Sequence, residues 1–86
     1  MTIRELEIKL KGLGIKKIFY SLSGGLPSEV FCIDRNESNW EVYYSERGSK
    51  SQLKVFEKES EACDYFYKKI TSDRVVMGNL ENKKML

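Results

Sequence analysis

The sequence contains no histidine. That absence removes the commonest general base, the Ser-His and Cys-His nucleophile pairs, and most zinc sites. Cysteine is scarce as well. Cys32 and Cys63 lie far apart, each inside an apolar run, and two thiols so placed do not make a metal site. Each is expected to act as a small buried hydrophobe, with a disulfide between them as the alternative. Neither sign of charge dominates: 15 Lys and Arg against 13 Asp and Glu leave +2, too little for a nucleic-acid signature by itself. No apolar run approaches the length that crosses a bilayer, and the N-terminus alternates charged and apolar residues without the pattern of a secretory leader. A reduced, cytoplasmic protein is the expectation. Internal repeats and low-complexity tracts are lacking too.

What is present suffices for one core. The chain has 86 residues, of which 41% are hydrophobic, with five Tyr, four Phe and one Trp. Thr2 and Glu5 have the spacing of a capping box, and Ile3, Leu6, Leu10 and Leu13 follow on one helical stripe. Gly12 and Gly14 then supply a stop. Residues 15–22, rich in Ile, Phe and Tyr, predict a strand, and Ser23-Gly24-Gly25-Leu26-Pro27 a loop. Residues 30–34 are apolar on both faces and predict a strand inside the sheet. Residues 40–46 alternate, Trp40, Val42 and Tyr44 pointing one way and Glu41, Tyr43 and Ser45 the other. Gly48 marks a turn, residues 53–56 a fourth strand, and residues 60–70 a second helix, with Ala62, Phe66 and Ile70 recurring every fourth position.

The fold class expected is α+β: a single domain over residues 1–72, helix, four-stranded antiparallel meander, helix, with both helices on one face of the sheet. Residues 73–86 are expected to be a tail, weakly structured or forming a short helix. The face of the sheet opposite the helices would then stand open, carrying Glu41, Tyr43 and Ser45 outward.

The chemistry-bearing candidates are few. Ser23-Gly24-Gly25 invites a phosphate-loop reading, but a proline and a strand follow where such loops need a helix N-terminus. Carboxylate catalysis by Asp34, Glu41 or Glu46, with Arg47 as an anion clamp, is outweighed by their placement in strands and turns. No enzyme activity, cofactor or metal is expected. The order helix, strands, helix matches small double-stranded RNA-binding domains, and an RNA-binding adaptor is the alternative function. Against it, the second helix opens on Glu57-Lys58-Glu59-Ser60-Glu61, which repels a phosphate backbone. Trp40-Glu41-Val42-Tyr43-Tyr44-Ser45-Glu46-Arg47-Gly48 is the most distinctive stretch. Its Trp, Val and second Tyr suit a core, whereas Tyr and Arg beside charges of both signs suit a protein interface.

Gly24-Gly25-Leu26-Pro27, that nine-residue stretch, Phe56, and Glu61-Ala62-Cys63 opening a helix together resemble small bacterial immunity proteins encoded beside secreted polymorphic toxins. The likeness spans residues 5–70. It implies a cytoplasmic inhibitor that binds a cognate toxin domain and blocks its active site or substrate entry. Glu41, Tyr43, Glu46 and Arg47 fall in the matching motif and are the implied partner-binding residues. The near-neutral charge departs from the acidic balance common among nuclease inhibitors. Homodimerisation through the open face or through an edge strand is the competing expectation to toxin binding, and no membrane partner is expected. On this reading Tyr43→Ala and Arg47→Ala weaken partner binding and leave the melting curve nearly unchanged.

Overall fold

Thr2 and Glu5 close the first helix as capping chemistry requires. In the computed structural model, which describes residues 1–81, Thr2 Oγ1 accepts from the Glu5 amide at 3.2 Å. Glu5 Oε1 in turn accepts from the Thr2 amide at 2.8 Å. Helix α1 runs Ile3–Gly12 and buries Leu6 and Leu10, while Leu13, beyond the last turn, is exposed. The left-handed Gly14 ends the segment, and its carbonyl accepts from the Glu81 amide at 2.6 Å.

The strand expected over residues 15–22 is largely absent. Lys17–Phe19 forms a 3-10 turn, and only Tyr20–Ser21 pairs as β1. Ile15 and Tyr20 are buried while Ile18 is exposed, so the inward positions do not alternate and no face of a strand could bury them together. Strands β2 (Val30–Asn36), β3 (Asn39–Glu46) and β4 (Ser49–Phe56) follow, and the sheet order is β1-β2-β3-β4. β2, β3 and β4 pair antiparallel, but β1 pairs parallel to β2, Tyr20 with Phe31 and Ser21 with Cys32. The expected antiparallel meander is therefore corrected to a mixed four-stranded sheet in an α+β fold. Parallel neighbours usually need a long crossover. Residues 22–29 suffice here because β1 is so short that the chain has little distance to return.

β4 begins earlier than expected. Arg47 and Gly48 both take left-handed φ, 51° and 74°, as a tight hairpin with right-handed strand twist requires, so pairing resumes at once with Glu46 opposite Ser49. The register slips between Val42 and Tyr44, leaving Gln52 and Leu53 together opposite Tyr43 as a β-bulge, with Gln52 at φ 56°.

Helix α2 (Glu59–Thr71) lies against β2, β3 and β4. Its Ala62, Cys63, Phe66 and Ile70 join Ile33 and Val42 of the sheet and Leu6 and Leu10 of α1 in one buried cluster. A side-chain link ties the two helices, Glu59 Oε2 accepting from the Ile3 amide at 2.9 Å. Short helix α3 (Arg74–Met77), capped by Asp73, returns Val76 to the same cluster. The expected tail over residues 73–86 thus begins as a packed helical turn, and residues 82–86 lie outside the described residues. Both cysteines are free and buried, on opposite faces of the sheet: Cys63 in the α2 cluster, Cys32 with Val30 and Tyr43 in a second one. Burial pushes the Cys63 thiol up to about 11.

The second cluster exists because residues 22–29 cross the back face of the sheet. Gly24 sits against the Asp34 carboxylate so closely that a Cβ would run into it, and its φ is 75°. Gly48 has a similar φ of 74° with open space around it. Ala at Gly48 should therefore cost only the left-handed strain, about 1–2 kcal/mol. Ala at Gly24 should cost that plus the displacement of Asp34, in total about 3 kcal/mol. Urea unfolding of the two variants measures the difference, and equal losses would show that the loop is not seated on the sheet.

Candidate partner-binding surface

Alternation along β3 separates the sheet's two faces as its side chains predict. Trp40 and Val42 pack in or against the α2 cluster, and Tyr44 meets Phe31 edge to face with centroids 5.0 Å apart. Glu41, Tyr43 and Ser45 point to the back. They do not stand open there. Tyr43 is 2% exposed and Glu41 8%.

The cover over Tyr43 is the crossing loop. Its hydroxyl donates to the Gly25 carbonyl at 2.7 Å, and the Lys50 ammonium lies 4.8 Å from its ring centroid. Burial, ahead of the neighbouring Cys32, raises the phenol above its ordinary range, so it stays protonated and remains a donor. Glu41 completes a polar chain across three strands. It accepts from Lys50 Nζ of β4 at 2.8 Å and from Asn36 Nδ2 of β2 at 2.9 Å. Those two bonds, Lys50 first, hold its carboxyl below the ordinary 4.5. A carboxylate so engaged is a weak base. Ser45 is wholly buried, and its hydroxyl has no hydrogen-bond partner among the described residues.

The four residues taken from the motif therefore separate. Glu41 and Tyr43 are interior members of a sheet-spanning network. Glu46 is half-buried at the end of β3, and Arg47 is exposed at the hairpin tip. The expectation that Tyr43 carries its phenol into solvent is corrected: the loop after β1 roofs it. What remains exposed on the back face is the β4 side, where Val55 pairs opposite Glu41 and Leu53 lies two residues before it. Leu53 is 44% exposed and Val55 55%. Among the described residues β4 is also an edge strand, with no strand paired on its outer side. Leu53 and Val55 were legible only as strand residues. The period-two pattern ending just before a helix was the available signal that they belong to the last strand of a sheet.

Among the described residues no group of three or more His, Cys, Asp or Glu is placed to hold a metal ion, and no helix is long and apolar enough to cross a membrane. Compared with known proteins, the chain matches no family model, no curated protein and no solved structure.

Two tests separate fold from binding at this surface. Tyr43→Phe removes one buried hydrogen bond and should cost about 1 kcal/mol, whereas Tyr43→Ala also empties the site and should cost about 3–5 kcal/mol. A melting curve for Tyr43→Ala that matches the parent's would return the residue to the surface. For Glu41, the lowered pKa means that its contribution is complete above the ordinary 4.5 and is lost as pH falls through the lowered value. Lys50 is partly exposed and the pair correspondingly screened, so Glu41→Gln should cost about 1 kcal/mol at neutral pH. In urea titrations the gap between parent and variant should be full at neutral pH and narrow as the pH is lowered below 4.5. A gap independent of pH would show that the carboxylate's charge is not what the site uses.

Proposed function

We propose that this protein is a non-enzymatic binding module, a cytoplasmic immunity protein that holds and neutralises a cognate secreted toxin domain. The observation that carries the binding part is the outer strand β4. Among the described residues its outer backbone edge pairs with no strand, and Leu53 and Val55 stand exposed on the back face. An unpaired edge offers alternating N–H and C=O groups to an extended segment of another protein, and apolar side chains on one face give that segment grip. Arg47, exposed in the hairpin that leads into β4, adds a side chain of the type that anchors interfaces. The bulge at Gln52 and Leu53 interrupts the ladder, which disfavours pairing of β4 with a second copy of itself over a segment shaped to it.

The toxin as partner rests on the likeness of residues 5–70 to immunity proteins. The reading takes both helices to cover one face, an arrangement supported by the burial of Leu6, Leu10, Phe66 and Ile33 in one cluster. A non-catalytic role is supported by the engagement of Glu41 with Lys50 and Asn36 and by the packing of Asp34 beneath Gly24. RNA binding ranks below it, because Glu59 and Glu61 occupy the first turn of α2.

The test is a pull-down of the tagged protein from its native host, followed by two assays on the captured partner. The partner expressed alone should arrest growth, and co-expression of this chain should restore it. The double variant Leu53→Asp, Val55→Lys should bind at least about tenfold more weakly while its melting temperature stays near the parent's. A harmless partner sinks the immunity reading. Equal binding by the double variant sinks the β4 surface.

A further inference from the structure

On the α2 side of the sheet, at the end where β2 begins, a groove of about 340 Å³ runs over Phe31 and Tyr44 between Gln52 and Lys69, with Asp73 on its wall. Past Phe31, Tyr44 and Asp73 it continues into a second hollow of about 200 Å³ that reaches Glu29. The floor is therefore the Phe31–Tyr44 ring pair, tilted 67° to one another. Glu29 and Asp73 line the walls. Glu46 is near enough to act with them on the Tyr44 phenol, which burial chiefly, and then these three carboxylates, raise above its ordinary value.

None of the three carboxylates has an ion-pair partner among the described residues. Asp73 Oδ1 accepts from the Val76 amide at 3.0 Å, and the Tyr44 hydroxyl makes no hydrogen bond there. Among the described residues Lys69 is the sole cation of the lining, at the Gln52 end, its ammonium 6.0 Å from the Tyr65 centroid. Glu29 holds φ 56° without belonging to a hairpin turn, in contrast to Glu37 and Arg47.

We propose that this groove receives an arginine side chain of a protein partner, its guanidinium laid on the Tyr44 ring with Glu29 and Asp73 as counter-charges. An aromatic face attracts a cation, and a planar guanidinium both stacks on the ring and offers paired donors to carboxylates. A purely apolar occupant would strip water from Glu29 and Asp73 without replacing it. An anionic occupant would meet one ammonium against two lining carboxylates and Glu46 beyond them. The site lies across the sheet from Leu53 and Val55, and it does not rest on the toxin reading or on the β4 surface.

The probe is the peptide acetyl-Gly-Arg-Gly-amide, titrated into labelled protein by NMR, with the Lys and Glu versions alongside. Arginine should shift the Tyr44 and Phe31 rings and the Gln52 and Asp73 amides, saturably and in the millimolar range. The Lys peptide should bind about two- to threefold more weakly and the Glu peptide leave these signals in place. Glu29→Gln should weaken arginine binding about two- to fivefold, with the Leu6 and Ile70 methyl signals unmoved as a check on the fold. Tyr44→Leu should weaken it by a similar factor, about two- to fivefold. Absence of a localised shift overturns the proposal. So does equal binding of the Glu peptide, or an affinity indifferent to Glu29→Gln in a protein whose core signals are intact.

Discussion

Gly24 lies on the sheet with no room for a side chain, against the Asp34 carboxylate, while the next carbonyl, that of Gly25, accepts the Tyr43 hydroxyl. This seating directs the chain's path. The loop that leaves Ser21 is drawn across the back face and delivered to Val30 beside β1, so β1 and β2 run the same way. The same crossing seals Cys32 and Tyr43 beneath it and gives the sheet a small second core opposite α2. It also leaves the β4 side of that face bare. The β1 pairing, the second core and the exposed strip thus follow from where two glycines come to rest.

The back face is consequently divided in two. Over β2 and β3 its polar groups are already satisfied within the molecule: Asn36 and Lys50 on Glu41, Tyr43 on Gly25. A partner could recruit those groups only by breaking bonds that are as good as the ones it would offer, so they supply little net affinity. Over β4 the side chains are exposed and, among the described residues, the backbone edge has no paired strand, so an interface there would gain by burying Leu53 and Val55 and by pairing the edge's amides and carbonyls. On the proposed reading a partner would draw on Leu53 and Val55, while Lys50 of the same strand is already engaged in the fold.

Much of the fold was legible in the residues. The capping box at Thr2 and Glu5, the Leu6 and Leu10 stripe, the two-faced alternation of β3 and the fourfold spacing of Ala62, Phe66 and Ile70 are local patterns, and local hydrogen bonding and burial express them directly. The failures are non-local or lack a pattern. Residues 15–22 had strand-like composition but no alternation, and composition alone does not make a strand. Ser49, Lys50, Ser51 and Gln52 have little preference for strands, yet the left-handed Arg47-Gly48 hairpin places them opposite β3, where the ladder holds them. Tyr43 was read by its neighbours in sequence, whereas a loop eighteen residues earlier decides its environment.

Tyr43 and Tyr44 show why a distinctive stretch cannot be assigned one role. They are adjacent in the chain and on opposite faces of the sheet. One phenol is sealed and donates to a loop carbonyl. The other is half-buried at the floor of a groove, its hydroxyl making no hydrogen bond among the described residues. Glu41 belongs with the first, and Glu46, whose charge acts on Tyr44, with the second. Arg47 belongs to neither and stands at the turn. In a strand whose side chains alternate at every step, residues 40–48 distribute themselves over a core, an internal polar network, a groove and a tip. A motif read as one binding patch is therefore several separate physical environments, and substitutions in neighbouring residues should act on different properties of the molecule.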